Sequence, residues 1–519
     1  MTPNHPTGFN PHLKRVMLIF PPSTTCARFE PMVSTPMGIA YLAATLREAG
    51  YEVACLDALC EAPRQETLVS EDIFRLGLSY DQIIARIREF QPEVVGISCI
   101  FSNQWPAARE LSRRIKAQDP DLVVCTGGAH PSFLSERCMN DAPLDFIVKG
   151  EAEESFPELL GRLRKERPFD DIDGLVWRDG GSLRQNPKTR FIRDLDRLPF
   201  PAHDLLNPES YFRVGLPMGY DFVSPRNLPV MTSRGCPCSC TFCSSANLWG
   251  RHYRTRSSAN VLAELDWLQD RFQVKEIKFQ DDNLTVDRKR ARELFNGMAD
   301  RGRHLMWNTP NGIAVWTLDE EMLGLMKRSG CFGITMAIES GDQEVLSSLI
   351  RKPLKLDKVR EVNRAARRLG IFRGAYFIIG FPGETREQIG KTISFTRELK
   401  LDNCIIFIFN PLPGSELFKE CLARGYITEE SFFETGNQYF SSVIDSEQWK
   451  AEELERMIQR EYVRNYLALF RNPVVVGRRY YNYIRHHPAA LVYASTRVLR
   501  TLKEQVLKRS GRALPSRGG

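Results

Sequence analysis

The sequence predicts an α/β fold in two parts, an amino-terminal doubly wound parallel sheet and a central series of six strand–helix units, followed by a helical carboxyl-terminal region. Three observations carry that expectation. Short continuous apolar runs alternate with segments of helical periodicity at the pitch of parallel β-α-β units. A Pro-containing stretch at 193–201 separates two such series. From residue 451 onward the pattern is helical, and the end of the chain is basic: Arg471 to Gly519 holds eleven Lys or Arg against the single acid Glu504. The whole chain carries +7, so the body is slightly acidic and the basicity belongs to the tail.

Composition excludes several classes. At 519 residues the chain suits roughly three or four domains. Its 42% apolar and 26% charged residues are those of a soluble globular protein. No apolar run approaches the ~20 residues of a spanning helix. Residues 1–11 are polar and Pro-rich, without an apolar signal core. Thirteen cysteines are too sparse for a disulfide scaffold and three have ligand spacing, so a reducing cytoplasm is the expected location.

In the amino-terminal third, strands are expected at 16–20, 53–56, 94–98, 122–125 and 146–148, with helices at 37–49, 83–90 and 107–116. Pro21 and Pro22 end the first strand, and Gly50 caps the first helix. Alternation of this kind gives a Rossmann-like sheet, which binds ligands outside the carboxyl ends of its strands. The loops there contain Ser98-Cys99, Thr126-Gly127-Gly128-Ala129-His130 and Lys149-Gly150-Glu151. Paired glycines let the backbone approach a ligand closely, although a Gly-Gly turn is equally a plain connection. No G-x-G-x-x-G occurs, so a dinucleotide is not indicated.

In the centre, strands are expected at 230–231, 276–280, 305–308, 333–338, 375–379 and 405–409, with helices between them such as 261–272. At the end of the first lies Arg234-Gly235-Cys236-Pro237-Cys238-Ser239-Cys240-Thr241-Phe242-Cys243. Cys236, Cys240 and Cys243 have the spacing C-x3-C-x2-C, which suits three corners of an iron–sulfur cube and leaves one iron for another ligand. A structural zinc site would show four ligands in two pairs, and no partner C-x2-C follows. Cys238 adds C-x-C spacings and is left out of the triad. Cys331 and Cys404 read as core cysteines. Catalytic groups of parallel barrels sit at the carboxyl ends of strands, and there the sequence places Asp281-Asp282, Glu339-Ser340 and Gly380, with Arg351 about ten residues past Glu339-Ser340.

C-x3-C-x2-C with Phe242 before the last cysteine resembles the signature of the radical SAM enzymes. The runs Gly127-Gly128-Ala129-His130-Pro131 and Val148-Lys149-Gly150-Glu151-Ala152-Glu153 resemble the cobalamin-binding domain that precedes many of their barrels. The resemblance implies a B12-binding domain at 12–190, a linker at 191–227 and a partial (β/α)6 TIM-type radical SAM barrel at 228–430. A helical region at 431–508 and a disordered tail at 509–519 would follow. It implies a 4Fe-4S cluster on Cys236, Cys240 and Cys243. S-adenosylmethionine (SAM) would be held by Phe242, Asp281, Asp282, Glu339, Ser340, Arg351 and Gly380, and cobalamin by Ser98, Thr126, Gly127, Gly128 and Glu151. The D-x-H-x-x-G motif whose histidine ligates cobalt is absent; His130 lies in the wrong loop for that task and reads as a surface or loop histidine.

The implied reaction is methyl transfer from SAM, through methylcobalamin, to an unactivated carbon or phosphorus of a small-molecule or lipid substrate, by way of a 5′-deoxyadenosyl radical. A flavodoxin or ferredoxin would supply the electron. Ring formation of the anaerobic porphyrin cyclase type is the alternative. An RNA methylthiotransferase would add a second cysteine trio and a β tail domain, neither of which is present, and a cobalamin sensor would not need the cysteine triad. The basic tail reads as a helical cap, a lid, a membrane-surface helix or a nucleic-acid contact.

Overall fold

The computed structural model describes residues 10–26, 33–70, 73–214, 223–430 and 444–469, with Phe432 and Tyr481. The amino-terminal sheet contains β1 (Arg15–Phe20), β2 (Glu52–Asp57), β3 (Val94–Ser98), β4 (Val123–Gly127), β5 (Phe146–Val148), β6 (Leu175–Asp179) and β7 (Ser182–Gln185). Their order is β7-β6-β5-β4-β3-β1-β2. Strands β1 to β5 are parallel, and β6 and β7 add an antiparallel hairpin at one edge. Winding reverses between β1 and β3, and a doubly wound sheet opens its ligand crevice at the carboxyl ends beside that reversal. Val16, Met17, Leu18 and Ile19 are all buried because helices cover both faces of β1. The first helix, Met37–Glu48, stops before Gly50, whose φ of 86° is left-handed.

The structure adds elements that periodicity does not reveal. Ser23–Cys26, Ile73–Leu76 and Glu66–Ser70 form a small antiparallel sheet. These strands, like β6 and β7, are too short to show alternation. The segment expected as a linker is packed. It forms 3-10 turns at Leu195–Arg197 and His203–Leu206 and a helix at Pro208–Val214. The Tyr211 hydroxyl donates to Asp57 at 2.8 Å, and the Ser257 amide donates to Asp196 at 2.8 Å, so this segment bridges both sheets.

The second sheet has six parallel strands in chain order: β8 (Asn227–Val230), β9 (Glu276–Phe279), β10 (Met306–Ile313), β11 (Cys331–Glu339), β12 (Phe372–Ile379) and β13 (Asn403–Ile408). Among the described residues no ladder joins β13 to β8. Ala375, Phe377 and Ile379 of β12 enter the apolar core, whereas Tyr376, between the first two, donates to the Pro310 carbonyl of β10 at 2.6 Å. The open edge is covered. In the helix Ala451–Leu469 the Tyr462 hydroxyl donates to the Ile406 carbonyl at 3.1 Å and accepts from the Ile406 amide at 3.3 Å. That satisfies backbone groups an exposed edge would offer to another chain. No helix among the described residues is long and apolar enough to cross a membrane. The expected basic helical tail to residue 508 and the disordered tail at 509–519 lie outside the described residues, apart from Tyr481.

Candidate active site

β8 ends at Val230, and the chain turns through Thr232 and Ser233 into the cysteine loop. Asp281, just past β9, holds that turn: it accepts from the Thr232 amide at 3.1 Å, the Thr232 hydroxyl at 2.7 Å and the Ser233 hydroxyl at 2.5 Å. Arg290 braces the same turn from behind, at 2.9 Å to the Thr232 hydroxyl and 3.1 Å to its carbonyl. Asp281 was expected as a SAM contact, but its carboxylate is committed to the backbone of the turn. Gly235 follows with φ 86°, and a Cβ there would lie 2.4 Å from the His252 carbonyl oxygen. Only glycine fits this entry to the loop.

The loop is stitched to two later strand ends. Thr241 donates through its amide to the Ile350 carbonyl at 3.2 Å and through its hydroxyl to the Leu349 carbonyl at 3.1 Å, and it accepts from the Leu417 amide at 3.0 Å. Cys236, Cys238, Cys240 and Cys243 are half-buried and unbridged. The Asn283 amide donates to the Cys236 sulfur at 3.3 Å, and the Ser245 backbone donates to the Cys243 sulfur at 3.4 Å. Hydrogen bonds from Cys238 and then Asn283 draw the Cys236 thiol down to about 6, whereas burial pushes Cys243 up to about 12. Among the described residues no three His, Cys, Asp or Glu side chains converge on a single metal ion. A cube held by three thiolates instead spreads them over separate corners, and N–H donors to sulfur suit such a cluster.

Around the loop the structure separates the expected contacts. Glu339 ends β11 with φ 71° and forms a buried ion pair with Lys352 at 2.9 Å. The Lys352 ammonium is held above its usual range: burial opposes the charge, but Glu339 and then Cys240 outweigh it. Lys352 also lies 5.7 Å from the Trp316 ring centre. Its neighbour Arg351, expected as a SAM contact, is half-exposed and paired with Glu416, while nothing in the sequence pattern singles out Lys352. Asp282, exposed at the loop, accepts from the Ser245 hydroxyl beside Cys243.

Ser340 makes its hydrogen bonds within the protein. It is fully buried, 3.0 Å from the Thr392 hydroxyl, and accepts from the Asp342 amide at 3.1 Å. Phe242 packs on Phe381 at 5.8 Å between ring centres. Gly380 has φ 84°, and a Cβ there would lie 2.5 Å from Leu454. Close packing of the carboxyl-terminal helix therefore requires that glycine.

At the edge of the first sheet, Ser98 ends β3 and Thr126 donates to the Ile97 carbonyl at 2.8 Å. A Cβ on Gly127 would approach the Val148 carbonyl to 3.2 Å. Gly128, with φ 109°, would place one 2.4 Å from the Cys99 carbonyl. Both glycines are thus required by the protein's own packing, against β5 and against the end of β3; the loop they form lies at the carboxyl ends of β3 and β4, where a doubly wound sheet takes its ligand. Glu151 does not join that surface; it is buried in ion pairs with Arg234 and Arg254. His130 is buried rather than superficial. It stacks on Trp105 at 5.4 Å, with Nδ1 3.0 Å from the Ser102 hydroxyl, and burial lowers its pKa to about 3.

The two sheets meet near these ends. A Cβ on Gly414, after β13, would strike Phe133 of the first domain at 2.4 Å, and a Cβ on Gly150 would approach the Leu248 carbonyl at 3.4 Å. Asn247, four residues past the cysteines, donates to the Gly414 carbonyl at 2.6 Å. The carboxyl-end loops of the first sheet and the cysteine loop thus lie on facing sides of one junction.

Comparison with known proteins agrees with this geometry. Residues 31–160 match the family model described as B12 binding domain, and residues 230–396 match that of the Radical SAM superfamily. The chain is 36% identical to the cytidylyl-2-hydroxyethylphosphonate methyltransferase of Streptomyces wedmorensis, over 81% of this chain and 84% of that protein. It is 28% identical to an anaerobic magnesium-protoporphyrin IX monomethyl ester cyclase of Rubrivivax gelatinosus, over 74% of this chain and 66% of the other. Its fold resembles that of the radical SAM methyltransferase TsrM from Kitasatospora setae, solved with cobalamin and a [4Fe-4S] cluster. That match has a TM-score of 0.64 and 18% identity, covering 79% of this chain and 75% of the other.

Proposed function

The chain belongs to the cobalamin-dependent radical SAM enzymes, and on that premise we propose that it transfers a methyl group from SAM, by way of cobalamin, to an unactivated carbon of a small-molecule substrate. Its cofactors are cobalamin, SAM and a 4Fe-4S cluster. The observation that carries the reading is the meeting of the Gly127-Gly128 loop, at the carboxyl ends of the first sheet, with the cysteine loop across one junction. Methyl transfer is favoured over ring formation by the 36% identity to a methyltransferase across most of both chains.

When bound, these cofactors supply a 5′-deoxyadenosyl radical and a transferable methyl group. The chain's own part is placement. Cys236, Cys240 and Cys243 hold the cluster, with Cys238 and Asn283 donating hydrogen bonds to Cys236 and the Ser245 amide to Cys243. Lys352, a buried cation beside Cys240, suits the SAM carboxylate, and Glu339 suits its ribose hydroxyls. Residues 12–190 and 228–430 form the two functional units, and the described part of 191–227, residues 191–214 and 223–227, packs between them. A flavodoxin or ferredoxin supplies the electron.

The reading is tested by anaerobic reconstitution. The parent chain is expected to show a four-iron absorbance, retain cobalamin and form 5′-deoxyadenosine, and Cys240→Ala to lose the first and third. A parent chain that retains no cobalamin contradicts the two-cofactor account. Cytidylyl-2-hydroxyethylphosphonate is the first substrate to try, because it names the methyltransferase relative.

A further inference from the structure

Four charged side chains that this chemistry does not use are buried together where the two sheets meet. Glu151 and Glu153 follow β5, and Arg234 and Arg254 flank the cysteine loop; none is more than 8% exposed. Arg234 donates to Glu151 at 3.2 Å and to Glu153 at 2.5 Å. Arg254 donates to both oxygens of Glu151, at 2.8 and 3.0 Å. Backbone groups join the cluster, and among the described residues Arg254 Nε alone of its guanidinium nitrogens is left without a partner. The Ile192 amide donates to Glu151 at 2.8 Å, and Arg254 donates to the carbonyls of Ile192 and Trp249, each at 2.6 Å. The Arg234 guanidinium also lies 5.2 Å from the Tyr41 ring centre and 5.3 Å from that of Trp249.

The chain positions of the arginines give the cluster its meaning. Arg234 directly precedes Gly235 and Cys236, and it stands opposite Arg254 in a two-residue antiparallel ribbon, Ser233–Arg234 with Arg254–Thr255. Like charges directly opposite one another on paired strands repel. Burying both is unfavourable unless each is paired and fully hydrogen-bonded. Both compensating carboxylates come from the other domain. The ribbon is the base from which the cysteine loop departs and to which it returns, so the loop's geometry depends on residues 151–153 being docked.

We propose that these four side chains form an interlock through which the cobalamin-binding domain holds the cysteine loop in its iron-ligating conformation. They are positioning residues, and the inference rests on the reading of Cys236, Cys240 and Cys243 as cluster ligands. The test uses the full chain, reconstituted anaerobically with iron and sulfide, and follows iron loss to a ferrous chelator. Glu151→Gln and Glu153→Gln are expected to release iron about tenfold faster or more, as removing one partner of a buried pair exposes an uncompensated charge. Leu111→Ala weakens the core of the same domain without touching the cluster of charges, and is expected to release iron at the parent rate.

Folded Gln variants that keep iron like the parent overturn the interlock, and so does a Leu111→Ala variant that loses iron as fast as they do. Hydrogen exchange on the unaltered, iron-free chain needs no variant. The amides of 150–153 and 234–236 are expected to open together, and opening of 234–236 while 150–153 stays protected overturns the proposal. This arm reads the interlock without iron, so a parent chain that binds no iron contradicts the ligand assignment separately.

Discussion

Lys352 lies buried beside Cys240, while Arg351, one residue earlier, turns outward to Glu416. Lys352→Met is therefore expected to weaken SAM binding to the reconstituted enzyme about tenfold or more by equilibrium dialysis, since a buried charged hydrogen bond contributes about 1.5–3 kcal/mol. Arg351→Met is expected to leave that affinity within about twofold, as an exposed pair contributes little. Glu384 offers a pH test. Its buried carboxyl is pushed up to about 8 from an ordinary 4.5, chiefly by burial, although the amides of Gly380 and Phe381 donate to it. A folded value above the unfolded one makes its contribution full below 4.5 and lost as pH rises through 8. Glu384→Gln is expected to flatten that decline in thermal midpoint against pH. At this scale the sequence shows residue types better than their partners. Asp281, Ser340 and Glu151 stand at the expected strand ends, yet each is consumed by a group far away in the chain: Thr232, Thr392 and Arg254.

Among elements, the loop after β4 and the carboxyl-terminal helix carry separate burdens. Gly128→Ala would force a Cβ to 2.4 Å from the Cys99 carbonyl at φ 109°. It is expected to abolish cobalamin retention on a desalting column while leaving the iron content of the barrel at the parent level. Trp449, just before that helix, is fully buried and donates to the Glu384 carbonyl at 3.1 Å, past the end of β12. Trp449→Ala is expected to cost about 3–5 kcal/mol in denaturant unfolding, and Tyr462→Phe about 1 kcal/mol through the two hydrogen bonds at the β13 edge. The parallel strands were legible because continuous apolar runs between helical segments have few other readings. The small antiparallel sheet, the β6–β7 hairpin and the ribbon at Arg234 were not, since strands of two to five residues leave no period to read.

In the whole molecule, the order of motifs along the chain was enough to place one domain ahead of the other, but not to say how they meet. The docking depends on long-range charges such as Glu153 with Arg234 and on contacts such as Phe133 with Gly414, which no local pattern announces. The segment 191–227 reads as a linker because its prolines break periodicity; the packing of residues 191–214 rests on partners in both domains, Asp57 and Ser257. The central claim is that the junction joins a methyl donor to a radical. Its most direct test is anaerobic turnover of cytidylyl-2-hydroxyethylphosphonate, and of further candidate substrates, with methyl-deuterated SAM and a low-potential reductant, assayed by mass spectrometry. The account predicts a deuterated methyl group in the product, with 5′-deoxyadenosine and S-adenosylhomocysteine formed in equal amounts. A modified product without deuterium, formed with 5′-deoxyadenosine but no S-adenosylhomocysteine, would contradict it.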